Sequence, residues 1–144
     1  MKHIILIFTI ILSTNLSSQT HLSYYFGDNT NFDESIPKPS EIIGHEVGEW
    51  HVTHDKLVQY MYAVAEASDR VLIEETGKTY ENRPLLILKV SSNKNIKVLE
   101  KIQKKHIEIS GGKKMNEFDN MPAVVYQGYG VHGNEASASN ASIL

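Results

Sequence analysis

The feature that most constrains this chain is a short run of apolar and β-prone residues at 123–127, bounded by Pro122 and Gly128. Proline and glycine mark its ends as breaks. Val124, Val125 and Tyr126 between them favour a strand. The run is continuous rather than alternating, which predicts a strand buried on both faces. Such a strand needs a layer on each side, so the expected class is α/β.

The rest of the sequence supplies candidate layers. Thr53 has the character of a helix N-cap, with Asp55 in the first turn. Leu57, Val58, Met61, Val64 and Ala65 follow at helical spacing, predicting a helix to about Ser68. Residues 71–75 and 85–90 are rich in branched apolar side chains and read as two strands. The tight polar connection between them contains Gly77, Asn82 and Pro84. Residues 95–109 form an amphipathic pattern with Ile96, Leu99, Ile102 and Ile109 on one face, ended by Gly111 and Gly112. Its lysines, Lys101, Lys104 and Lys105, read as a solvated face, and His106 as a solvated residue beside them. After the 123–127 run, Gly128, Gly130 and Gly133 turn the chain, and a helix of small residues is expected to open at Glu135. The order implies the first part of a mixed β-sheet with flanking helices. Because the sequence stops at Leu144, inside that last helix, the sheet is expected to be incomplete.

The N-terminus has a different character. Lys2 and His3 precede an almost wholly apolar run, 4–12, and then small polar residues to Ser18. This is the layout of a secretory signal at 1–18, whose removal would leave Gln19 first. The apolar run is about half of the ~20 residues that a spanning helix needs, so no stable membrane span is expected after cleavage. Residues 19–44 read as an extended arm whose aromatics, Tyr24, Tyr25 and Phe26, are expected to be covered by the body of the protein. The chain has no cysteine, so an exported form must rely on its core or on a bound metal. A net charge of -3 over 144 residues lacks the basic excess of a nucleic-acid binder.

The residues with chemical potential lie in 128–135. His132 and Glu135, three apart, can face one point if they flank a sharp turn between a strand end and a helix start. In open α/β sheets, functional groups gather at the carboxyl ends of strands. Gly133 would let the backbone turn without steric cost. Imidazole nitrogen and carboxylate oxygen both suit zinc, and a catalytic zinc takes three such ligands plus water. The residues alone leave two readings open: a zinc-ligand pair, or a capping carboxylate beside a hydrogen-bonded histidine. His45, His51 and His54 have no carboxylate at ligand spacing and read as surface or capping residues.

The segment Gly128, Tyr129, Gly130, Val131, His132, Gly133, Asn134, Glu135 resembles the metal-binding motif of the zinc carboxypeptidase family. A second resemblance lies at 77–84. There Gly77, Tyr80, Glu81, Arg83 and Pro84 are similar to the turn of that family's first β-hairpin, leading into a strand that ends with Lys89 and Ser91. Residues 48–70 resemble its opening helix. The resemblance spans 45–144 and implies the N-terminal part of a catalytic domain over those residues. It implies that His132 and Glu135 are two ligands of one zinc ion. A third ligand and a glutamate acting as general base are implied downstream of Leu144, so no catalytic residue is assigned within the chain and the isolated 144 residues are expected to be inactive. The implied substrate is a peptide or protein, cut at its C-terminal bond. Asn134 stands where digestive members carry a substrate-contacting arginine, as in the regulatory branch, and is a candidate substrate contact. Arg83 either lines the cleft as a second such contact or braces the hairpin turn. The helix expected at 95–109 replaces a short loop of the digestive members and implies a bacterial-style subgroup.

Two other functions fit parts of the pattern. Zinc deacylases of the aspartoacylase type share a His-Gly-Asn-Glu segment, but they act inside cells and lack the Tyr-Glu-x-Arg-Pro hairpin. A non-catalytic binding module on the same fold is the other alternative. The signal points to a secreted or periplasmic location.

Overall fold

The computed structural model describes residues 23–112 and 121–144, so the expected signal at 1–18 lies outside the described residues. Spatial proximity divides the chain into two units, Met1–Asp33 and Glu34–Leu144. Among the described residues, no helix is long and apolar enough to cross a membrane.

In the first unit, Ser23–Phe26 forms a single helical turn, α1, where an extended arm was expected. Gly27 closes it at φ 77°, in the left-handed region that glycine adopts without strain, and donates to Ser23 O at 2.7 Å. Phe26 and Phe32 meet edge to face, with ring centroids 5.5 Å apart. Tyr24 and Tyr25 meet edge to face, with ring centroids 5.2 Å apart.

The second unit begins with α2, Pro39–Ile43. Proline at its start costs no hydrogen bond that a helix would otherwise make. Glu41 accepts from the Lys38 N–H at 3.1 Å, and Gly44 ends the helix at φ 90°. The helix α3, His54–Ala67, follows the expected pattern, ending at Ser68, whose N–H donates to Val64 O. Leu57, Tyr60 and Met61 share one face of α3 and surround the buried side chains Ile43, Val52 and Ile143. Burial pushes the Tyr60 phenol above its ordinary range. Lys56 Nζ donates to Ile42 O at 3.2 Å, tying α3 to the last turn of α2.

Thr53 takes the extended backbone of an N-cap, but its hydroxyl does not cap the helix. It hydrogen-bonds the Asp55 carboxylate instead, and this bond is the main cause holding that carboxyl below the ordinary aspartate range. With its folded pKa depressed, Asp55 contributes stability above its unfolded pKa and loses it as pH falls through the folded one. A carboxyl-carbon NMR titration is expected to place the Asp55 midpoint below that of a model aspartate, and Thr53→Val should move it back up.

Next comes an antiparallel hairpin of β1, Val71–Lys78, and β2, Pro84–Val90. Val71 pairs with Val90 and Glu75 with Leu86, and an irregularity falls between Glu75 and Gly77. Both strands extend to the connection more closely than the sequence reading had them. The turn is closed by Thr79 N–H to Arg83 O and Asn82 N–H to Thr79 O, each 2.9 Å, with Asn82 at φ 59°. Asparagine is among the few side chains that adopt this conformation readily. Glu74 and Lys89 pair across the exposed face of the hairpin. His54, expected at the surface, is half-buried and donates from Nε2 to Pro84 O at 3.1 Å, joining the start of α3 to the start of β2.

The single helix expected at 95–109 is two helices, α4 at Asn93–Ile96 and α5 at Leu99–Ser110. The break falls at Val98, whose backbone leaves the helical region at φ -124°, ψ 23°. Ser92 caps α4 by accepting from Asn95 N–H. His106 is half-buried rather than solvated, and its Nε2 donates to Pro122 O at 3.0 Å. That bond joins α5 to the start of the next segment. A groove of about 1120 Å³ lies between α5 and the hairpin, lined by Leu72, Ile96, Leu99, Ile102 and Val124 among others.

The strand expected at 123–127 is not formed. The described sheet has two strands, and neither pairs with this run. Val125 is 79% exposed, and Val124 and Tyr126 are similarly open. Strand propensity without a ladder partner leaves the backbone extended and unpaired. The last element is α6, Ser137–Ala141. The described residues form helices and one two-stranded antiparallel sheet, a mixed α/β composition.

Candidate metal segment

His132, Asn134 and Glu135 lie on one tight turn. Glu135 N–H donates to His132 O at 3.1 Å, which closes the turn across Gly133 and Asn134. The two candidate ligands thus stand at opposite ends of a single β-turn. Gly133 has no positive φ, and a β-carbon placed on it would meet nothing within 4 Å. The glycine that the backbone requires is Gly130, at φ 75°, in the left-handed region two residues before His132. The expected helix start at Glu135 falls two residues later, at Ser137, with Ala138 N–H donating to Glu135 O at 3.4 Å.

All three side chains are exposed. Neither the His132 ring nor the Glu135 carboxylate makes a side-chain hydrogen bond or ion pair with the described residues. The donor set fits zinc in kind: one borderline nitrogen and one carboxylate oxygen. It fits in number only as part of a site, because among the described residues no group of three or more His, Cys, Asp or Glu is placed to hold an ion.

Arg83 is not part of this turn. Its Nε pairs with Glu81 Oε2 at 3.1 Å inside the hairpin connection, and its backbone N–H donates to Thr79 Oγ1 at 3.2 Å. Both partners of the ion pair are more than half exposed, so the pair contributes at most about 1 kcal/mol.

The residues that hold the turn were not evident in the sequence. Asn140 Oδ1 accepts from Gly48 N–H at 2.8 Å, and Asn140 Nδ2 donates to Trp50 O at 3.0 Å. Ile143 is buried at 5% exposure against Ile43 and Val52. The only available signal was compositional: one amide, Asn140, and two large apolar side chains, Ile143 and Leu144, in an otherwise small-residue stretch.

These elements coincide with what is known of other proteins over a defined span. The family model described as zinc carboxypeptidase matches residues 57–144, from the first turn of α3 through the hairpin and the His132–Glu135 turn to Leu144. No curated protein and no solved structure matches the chain. Since the matched span is more than half of the sequence and includes both the hairpin and the turn that resemble the family's motifs, the chain belongs to the zinc carboxypeptidase family.

Proposed function

We propose that this chain carries two of the metal ligands of a secreted or periplasmic zinc metallocarboxypeptidase, which hydrolyses the C-terminal bond of peptides. One observation carries the reading. His132 and Glu135 flank one turn with their side chains exposed, inside the span that the family model matches.

The chemistry that zinc supplies in such a site is Lewis acidity, which polarises the scissile carbonyl and activates water for attack on it. The His132 ring contributes a neutral nitrogen donor and the Glu135 carboxylate an anionic one. The turn's closing hydrogen bond fixes the spacing of their backbones, which leaves the two side chains to be ordered when a ligand is bound. Asn134 lies between them, exposed, and its amide is suited to a carbonyl or amide of the bound peptide. The pairing of Arg83 with Glu81 favours a bracing role in the hairpin over a place in the cleft. Among the described residues no third protein donor is grouped with these two, and export is assigned to the segment 1–18.

The reading is tested with peptides that differ only at the C-terminus. The full-length protein is expected to release the last residue from a free-carboxylate peptide and to leave the amidated form intact. Activity should be lost on chelation and regained with zinc, and the 144-residue chain alone should show none. Equal cleavage of both peptides, or turnover that chelators leave unchanged, would overturn it.

A further inference from the structure

We propose that Asn140 is a positioning residue, which sets the metal turn against the body of the protein by clamping the backbone at Gly48 and Trp50. This rests on the reading of His132 and Glu135 as zinc ligands.

On its N-terminal side the turn is weakly held. Among the described residues, 123–127 have no ladder partner, and a side-chain hydrogen bond within 123–131 is local, from Tyr129 Oη to Gln127 Oε1. On its C-terminal side a chain of backbone bonds runs from His132 O to Glu135 N–H, from Glu135 O to Ala138 N–H, and from Ala138 O to Ser142 N–H. That ladder makes the turn and α6 one piece. Two described side chains of the piece reach residues 43–52: Ile143, through the core, and Asn140, through its amide.

The two contacts differ in kind. An apolar contact is non-directional and fixes depth but not rotation. The Asn140 amide accepts from one backbone group and donates to another two residues away, at 2.8 and 3.0 Å. Two bonds of opposite polarity to one loop fix both the rotation and the axial position of α6. Aspartate could keep the bond from Gly48 N–H but could not donate to Trp50 O, and alanine keeps neither. The amide thereby carries the orientation of the loop before α3 to the two ligands, five and eight residues upstream.

The test measures zinc affinity in the full-length protein by competition with a chromogenic chelator, alongside the melting temperature. Asn140→Ala is expected to raise the zinc dissociation constant about 10-fold, at the low end of what loss of a ligand-orienting partner costs. Asn140→Asp should give a smaller rise, and it carries the same test if the alanine variant fails to fold. Ile143→Val should lower the melting temperature through the same junction while leaving zinc affinity at the wild-type value. Wild-type zinc affinity in the Asn140 variants would overturn the positioning role. So would a loss in Ile143→Val equal to theirs at matched melting temperature, because the effect would then be one of stability alone. If His132→Ala itself leaves zinc binding unchanged, the ligand reading falls and this inference with it. If His132→Ala removes zinc and Asn140→Ala does not, only the inference falls.

Discussion

Ile143→Ala is expected to destabilise the protein by about 2–4 kcal/mol, the range for truncating a buried isoleucine. Ile143 is 5% exposed and is one of three buried apolar side chains among the described residues, the others being Ile43 and Val52. Ile43 and Val52 are near neighbours in the sequence, whereas Ile143 reaches them from far downstream, so its contact closes a long loop whose entropy cost the core offsets. Removing three carbons from Ile143 loses their transfer free energy and leaves a cavity that α2 and α3 cannot fully close. Net stabilities run at roughly 0.05–0.15 kcal/mol per residue, so a loss of this size is a large part of the total. Urea unfolding followed by circular dichroism measures it as a lower midpoint at unchanged slope. Ile107→Ala serves as control. That side chain is 64% exposed, and its removal should shift stability by no more than about 0.5 kcal/mol.

The second large effect concerns the metal. His132→Ala and Glu135→Ala are each expected to weaken zinc binding by at least 100-fold in the full-length protein. Loss of a residue that merely orients a ligand costs about 10–100-fold, and loss of the donor itself must cost more. The chain offers little to compensate. It contains no cysteine, and among the described residues no alternative group of three donors exists. Of the other described histidines, His54 hydrogen-bonds Pro84 O, His106 hydrogen-bonds Pro122 O and His45 hydrogen-bonds Glu46 O, each through one ring nitrogen. Glu135→Gln is the sharper of the carboxylate variants, because it keeps the shape and one oxygen while removing the charge that favours a divalent cation.

Local features of this fold were legible in the sequence. The 3.6-residue spacing of Leu57, Met61 and Val64 located α3 to within a residue, and Asn82 and Pro84 located the hairpin turn. Both depend on neighbours within a few positions. What failed depends on distant partners. The 123–127 run has strand chemistry but no strand beside it, and no local pattern reveals the lack of a ladder. His54 and His106 were read as surface residues because their acceptors, Pro84 O and Pro122 O, lie 30 and 16 positions away. The break at Val98 was hidden because Ile96 and Leu99 keep an acceptable helical spacing across it. In the metal segment, the pair His132 and Glu135 was legible as residue types at a spacing. The glycine that matters, Gly130 rather than Gly133, was decided by a dihedral angle that composition does not encode. Asn140 was invisible because its two partners are backbone groups more than 85 positions upstream.

The central claim is that His132 and Glu135 bind the same zinc ion. Its most direct test is a competition titration of zinc against a chromogenic chelator, run on the full-length protein and on the His132→Ala, Glu135→Ala double variant, with folding of each checked by circular dichroism. The predicted result is one high-affinity zinc per wild-type molecule and no detectable high-affinity zinc in a folded double variant. Unchanged stoichiometry and affinity in the double variant would contradict the account.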